Sequence, residues 1–322
     1  MLTWLPQNLP KIWQEIARAD AVHAPVPGDL GFIGILVALF QRKPIFIRHC
    51  GTWGEPVTLA DHILFWLLER IAGGRNVILA TGGADIPPSK KNPNIHWIFS
   101  TTLTEGELAK MRAVPSPSLC VRASPFGGAG RSHRGGEPLR LVTVCRLTEA
   151  KNTQAILRAL PSILSQNPDT RLDVVGDGPA RPGLETLARD LGVDGQVTFH
   201  GNLAHADVLQ VLSQSHLFVF PTRHREGFPK AVLEALAAGL PIVATGVSVI
   251  PDLIKDCGVI LPNPGPEAVA QAVNRLAANP AQMAEMSARA RQRAQEYSLE
   301  TWRDRIGEHL QSVWGPLTRN PR

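Results

Sequence analysis

The sequence predicts an α/β protein built from doubly wound parallel sheets, and three observations predict it. Short runs of β-branched and apolar residues alternate with helical patterns along the second half of the chain. These runs are apolar throughout rather than alternating with polar residues, as in strands buried on both faces. Gly and Pro punctuate the joins between them. A length of 322 residues corresponds to about two domains.

In the second half, strands are expected at residues 139–147, 171–178, 196–201, 217–221 and 241–245. Helices are expected between them, at about 152–166, 184–192 (closed by Gly192), 206–215 and 229–238. Pro229 suits the first helical position of the last of these, and Gly239 its C-cap. Strands separated by helices make a Rossmann-like layer covered on both faces, and its ligands gather beyond the carboxyl ends of the strands.

The first half reads the same way but thinner. A helical segment over 11–18 leads into a strand at 20–25, a helix at 30–41 and a strand at 44–50. A strongly apolar helix follows at 58–72, then strands at 76–83 and 95–101. Thr104 and Glu107 form a capping box that opens a helix through Arg112. Helix 58–72 has two readings: a buried helix of the first domain, or a helix that dips into a membrane interface. Residues 115–138 are rich in Pro, Gly and Ser and carry Arg122, Arg131 and Arg134 against the single acid Glu137. They read as a linker between a first domain at 1–114 and a second from 139 onward.

Composition narrows the function. Apolar residues make up 44% of the chain and charged residues 19%, which excludes wholesale disorder. The formal net charge of +5 is mild, and no dense basic stretch with aromatic platforms argues for nucleic acid. A polyanionic small ligand or an anionic membrane surface fits this balance. The four cysteines lack disulfide-framework and metal-ligand spacing, so a reducing cytosol is expected. The chain opens without a basic n-region and apolar h-region, and no apolar stretch reaches the roughly 20 residues of a membrane span.

Three constellations carry chemistry. In 220–245, Glu226-Gly227-Phe228-Pro229 is a turn feeding a helix, and a helix N-terminus is a ready anion site. Glu234 lies inside that helix among apolar residues. It is either a solvated surface carboxylate or a buried one that needs a hydrogen-bonding partner, a role that a pair of ribose hydroxyls would fill. Arg146 and Lys151 follow the first strand of the second domain. They are either a diphosphate clamp or two ordinary surface cations. In VGDGP, Gly176 and Gly178 allow close backbone approach after a strand or form a plain tight turn. With Gly183 they miss the G-x-G-x-x-G spacing of a dinucleotide site. D-x-D metal and P-loop motifs are absent.

Taken in order and at these intervals, Arg146-Leu147 with Lys151-Asn152, VGDGP, VTFHGNL and EGFPKAVLEALAAGLPIVAT resemble the donor-binding domain of retaining GT-B glycosyltransferases. The family is "glycosyl transferases group 1" (family four). The resemblance covers about residues 139–315. DAVHAP, RHCG and FSTTLTEGELAKM resemble the later half of that family's acceptor domain.

The resemblance implies two Rossmann-like domains facing a cleft, with the first part of the N-terminal domain missing. The donor domain would run over 139–296, and a closing helix in 297–322 would return to the N-terminal domain. A nucleotide-diphosphate-sugar is the implied co-substrate, with no metal and no other cofactor. Arg146 and Lys151 would bind the diphosphate and Glu234 the ribose. Glu226 would contact the transferred sugar, and the backbone of Gly227, Phe228 and Pro229 would hold sugar and phosphate oxygens. Gly176, Asp177, His200 and Gly201 would line the nucleotide pocket. His49 matches a cleft histidine that contacts the sugar; a strand-end histidine with a structural role is the other reading. Cys145 departs from the family's usual glycine before the arginine. Transfer would proceed with retention to a glycan or lipid-linked acceptor, in the cytoplasm or peripherally at the inner face of the membrane. A protein partner could complete the N-terminal domain. The rival implied by the short first domain is an inactive or partner-dependent nucleotide-sugar-binding remnant.

Overall fold

The structure, a computed structural model, describes residues 4–54, 56, 58–83, 87–113 and 138–316. The segment read as a linker, 115–138, lies outside these apart from Pro138. The chain forms two compact units. The first takes in the described residues up to Ser100, Glu226–Phe228 and those from Glu300 onward; the second takes in Thr101–Arg225 and Pro229–Leu299.

The first unit is a parallel sheet of β1 (Val22–Val26), β2 (Ile45–His49), β3 (Val77–Thr81) and β4 (Ile95–Ile98), paired in that order. Helices α1 (Trp4–Arg18), α2 (Asp29–Phe40) and α3 (Leu59–Ile71) share one core with Ala24, Ile45, Ile47 and Ile78 through Ile16, Ile35, Leu64 and Leu68. Side chains alternate across a strand, so Phe46 points to the opposite face with Val77, Leu79 and Ile98. The last helix of the chain, α12 (Leu299–Trp314), covers that face with Trp302, Ile306, Leu310 and Trp314. The Arg48 guanidinium lies over the Trp302 ring at 5.2 Å, and Trp314 Nε1 donates to the Arg75 carbonyl at 2.8 Å.

Helix α1 starts at Trp4 rather than at 11, despite Pro10 inside it. Lys43 explains its anchorage, because Nζ donates to the carbonyls of Ala17 and Ala19, each at 2.8 Å. Those are C-terminal carbonyls that the helix cannot satisfy itself. Helix α3 opens on a capping box the sequence reading overlooked: Thr58 accepts from the Asp61 amide while the Asp61 carboxylate accepts from the Thr58 amide. Helix α3 is buried along one side only. Leu64 and Leu68 are buried, whereas Leu59, Ile63 and Trp66 are exposed, Leu59 at 76%.

The second unit contains α4 (Glu105–Ala113), β5 (Arg140–Val144), α5 (Thr153–Gln166), β6 (Arg171–Val175), α6 (Arg181–Asp190), β7 (Val197–Gly201) and α7 (His205–Ser213). It continues with β8 (Leu217–Phe220), α8 (Lys230–Ala237), β9 (Ile242–Thr245), α9 (Ile250–Ile254), β10 (Gly258–Leu261), α10 (Pro266–Ala277) and α11 (Pro280–Ala294). The six strands are parallel in the order β10-β9-β8-β5-β6-β7. Strand order therefore reverses between β5 and β8, the topological switch point where ligands of such sheets bind. Leu141, Leu172, Val174, Val219 and Val243 form one core with Ile156, Leu160, Leu184 and Val273 of α5, α6 and α10.

Three boundaries differ from the sequence reading. Pro229 is the N-cap of α8 rather than its first helical residue, with an extended ψ of 92°. Ala238 is the C-cap and Gly239 follows it with φ +78°, the left-handed position just past the helix end. Helix α6 begins at Arg181 because Pro182 fits its first turn.

Candidate functional site

Both loops at the switch point are tied down by backbone. After β5 the chain places Arg146 on the surface, buries Leu147, and turns through Glu149–Lys151 to Asn152 at φ +60°. Asn152 is fully buried, and its Nδ2 donates to the carbonyls of Pro221 at 3.0 Å and Pro264 at 2.8 Å. The Arg223 amide donates to the Ala150 carbonyl at 2.8 Å. The loops after β5, β8 and β10 are thus stitched together, and Lys151 is carried on this stitch. Its Nζ lies 5.7 Å from the centroid of the Phe220 ring at the end of β8.

The loop after β6 lies against the same segment. Cys145 N–H donates to Val175, Leu147 N–H to Asp177 and Ala180 N–H to Leu147. Gly176 has φ +120°, and a Cβ there would lie 2.0 Å from the Cys145 carbonyl oxygen. The glycine is required by this close approach. The Gly176 amide also donates to the Gly201 carbonyl at 2.8 Å. Gly176, Asp177, Gly201 and the Arg146 loop therefore meet at one end of the sheet.

Two predicted pocket residues have their side chains committed to structure. Asp177 accepts from the Gly178 amide at 2.7 Å and from Arg181 at 3.0 Å. The amide, and then Arg181, hold its carboxyl below the usual range. His200 Nε2 is hydrogen-bonded at 2.7 Å to the buried Asp173, which also accepts from Arg140 at 3.1 Å. This pairing satisfies a carboxylate placed inside the sheet.

Glu234 is 8% exposed, which rules out the solvated reading. Helix α8 is buried along Val232–Ala237, so its one acid is enclosed with its neighbours. Oε1 accepts from the Thr102 hydroxyl at 3.0 Å and lies 3.6 Å from His205 Nδ1. Burial pushes its pKa up, while Thr102, His205 and Lys230 pull it down and Glu107 adds to the rise. Sequence reasoning missed Thr102 and His205. They lie 132 and 29 residues from Glu234 along the chain, and no local pattern announces such a contact.

In the first unit, His49 is buried at 3% exposure. Its ring sits 5.1 Å from Trp53, edge-on, and 5.1 Å from Phe65. Burial lowers its pKa against the opposing pull of the Gly51 backbone and of Asp61. The following loop meets Glu226-Gly227-Phe228: a Cβ on Gly227 would lie 3.2 Å from the Gly51 carbonyl oxygen. Phe228 is buried with its ring 6.1 Å from Phe99, and Glu226 is half-buried. The structure thus brings His49 and residues 226–228 together in one unit. It brings Arg146, Lys151, Gly176, Asp177, His200, Gly201, Pro229 and Glu234 into the other.

Among the described residues, no group of three or more His, Cys, Asp or Glu is placed to hold a metal ion. No helix among them is long and apolar enough to cross a membrane.

Two parallel α/β units, one of them with loops converging at a Rossmann switch point, define the class as α/β proteins of GT-B type. Anabaena HepE, solved in complex with UDP, shares this fold: TM-score 0.74 at 17% identity, covering 94% of this chain and 82% of that one. Residues 131–295 match the family described as glycosyl transferases group 1, and the chain belongs to that family. Alpha-D-kanosaminyltransferase of Streptomyces kanamyceticus is 30% identical over 298 residues, 87% of this chain and 73% of its own length. The human phosphatidylinositol N-acetylglucosaminyltransferase subunit is 26% identical over 231 residues, 70% of this chain and 46% of its own length. The chain spans about half the length of several curated relatives it matches, the human one among them.

Proposed function

We propose that this chain transfers a sugar from a nucleotide-diphosphate-sugar to a glycan or glycolipid acceptor, with retention of anomeric configuration. The observation that carries the reading is that Arg146 and Lys151 follow β5, and the chain leading to α8 follows β8, on the two sides of the β5/β8 switch point. Breaking a glycosyl–phosphate bond builds negative charge on the departing diphosphate. Fixed cations and the free amides of a helix N-terminus stabilise that charge without reorganising. Arg146 and Lys151 take the diphosphate in this reading, and Glu234 accepts from the ribose hydroxyls. Gly176, Asp177, His200 and Gly201 line the nucleotide pocket. Glu226, His49 and the backbone of Gly227, Phe228 and Pro229 contact the sugar and its phosphate. The departing phosphate helps to deprotonate the acceptor, so neither a protein nucleophile nor a metal ion is needed.

The acceptor side is proposed to work at the inner face of a membrane, as a peripheral contact. Exposed Trp13 and Phe40, the stripe Leu59, Ile63 and Trp66, and the nearby cations Lys11, Arg42 and Arg70 support this. Such a surface suits an anionic interface. A partner protein that shares the acceptor site fits the naming of the human relative as one subunit.

Calorimetric titration of the purified chain with a panel of nucleoside diphosphates and their sugars, with nucleotide release followed in the same samples, tests the reading. Binding with release of nucleotide is the expected result. Binding without release, even with candidate acceptors and membranes present, would favour a nucleotide-sugar-binding subunit. A folded sample that binds none of them would overturn the assignment.

A further inference from the structure

Glu234 does not stand alone. Its carboxylate lies where three elements converge: α8, the segment leading into α4, and the first residue of α7. Thr102 Oγ1 donates to Oε1 at 3.0 Å, and His205 Nδ1 lies 3.6 Å from the same oxygen. The second distance is too long for a hydrogen bond, so His205 acts there by charge when protonated. Oε2 makes no hydrogen bond to any described residue. Among the described residues, Oε1 is thus the anchored oxygen of the carboxylate.

Thr102 is itself held. The Leu103 amide donates to Thr101 Oγ1, Leu103 is fully buried, and its carbonyl accepts from Leu299. One residue on, Thr104 and Glu107 close the capping box of α4. The hydroxyl that reaches Glu234 is thus mounted on a fixed turn rather than on a loose chain. The charged groups acting on Glu234 are His205 of α7, Lys230 of α8 and Glu107 of α4.

We propose that Thr102 and His205 are positioning residues that orient the Glu234 carboxylate for a ribose diol. This rests on the ribose role given to Glu234 above. A diol donates two hydrogen bonds and is best met by an ionised, directionally fixed carboxylate. The Thr102 hydroxyl supplies both conditions, because donation to the anion favours the charged form against burial. Thr102 adds no contact to the donor itself. Its effect is confined to what Glu234 can do.

The test compares binding of UDP and GDP with their 2′-deoxy counterparts in wild type, Thr102→Val, Thr102→Ser, His205→Asn and Glu234→Gln. Wild type is expected to prefer the ribose form by about tenfold, the scale of one charge-assisted hydrogen bond. Thr102→Val and Glu234→Gln should collapse the preference, Thr102→Ser should restore it, and His205→Asn should reduce it. The acid limb of the binding profile should also move to higher pH in Thr102→Val, since a donor favouring the anion is gone. If Glu234→Gln loses the preference while Thr102→Val and His205→Asn keep it, the positioning role is overturned and the ribose role stands. If the wild type binds without preferring ribose, both fall. If it binds neither nucleotide, they fall with the donor reading.

Discussion

The two units handle apolar surface in opposite ways. Of the ten large hydrophobic side chains exposed among the described residues, eight lie on α1, α2 and α3 of the first unit: Leu9, Trp13, Leu30, Leu36, Phe40, Leu59, Ile63 and Trp66. The second unit's sheet and helices expose Ile260 alone. In the second unit a six-stranded sheet absorbs its helices' apolar residues. In the first, α2 is apolar on every side, and a four-stranded sheet can cover only one of them. What distinguishes the second unit is the chemistry of its loops; what distinguishes the first is its surface.

The sharpest way to break this comparison is Lys151→Ala. It should lower nucleotide release by about 10²–10³-fold, the scale of losing one preorganised charge stabiliser, with the melting temperature unchanged. Full activity in that variant would move the chemistry away from the switch point. Next in size, Phe218→Ala empties a fully buried site in the second unit and should cost about 3–5 kcal/mol in denaturant titration. Trp302→Ala, on the partly buried face of α12, should cost about 1–3 kcal/mol.

Acid should separate the units further. His23, His49 and His309, all in the first unit, are held below the ordinary imidazole value chiefly by burial, His309 also by the stacked His96 at 4.9 Å. Their unfolded forms bind protons that the folded forms resist. The stability of the first unit is thus present above the unfolded value of about 6.5 and lost as pH falls. Glu234, raised by burial, has the opposite sign in the second unit. Urea midpoints between pH 7.5 and 5.5 should fall less steeply in His309→Gln than in wild type. The smallest effect on stability is expected for Leu59→Ser with Ile63→Ser and Trp66→Ser, within about 0.5 kcal/mol per exposed site. The same variant should lose sedimentation with vesicles containing anionic lipid, and retained binding would end the membrane proposal.

Much of this was legible because strands buried on both faces leave an unmistakable apolar run. The runs around Val142, Val174, Val219 and Val243 each became a strand of the second sheet. Strand β10 (Gly258–Leu261) escaped although β8 and β9 are no longer; it lies at the sheet edge and is buried only at Leu261. Helix α11 escaped because alanine, glutamine and arginine fill it without a strong apolar stripe, whereas α10 carries one at Val269, Val273 and Leu276 that went unread. Arg146, Lys151 and Glu234 could be picked out because each sits at a recognisable position relative to a strand or helix. Burial of Glu234 could not, since it depends on partners far along the chain. Nor could the commitment of His200 to Asp173, which only strand pairing of β6 with β7 creates.

The last helix carries a consequence for how the protein is made. Trp314 bonds to Arg75 across 239 residues of sequence, and Phe46, Val77, Leu79 and Ile98 have α12 as their cover. The second unit is nearly continuous between these ends. During synthesis it has all its parts while the first unit still lacks one wall. Loop closure over such a distance delays contact formation, so the expected order of assembly inverts the order of translation. Pulse-labelled hydrogen exchange should find amides of β5 and β6 protected before those of β2 and β3.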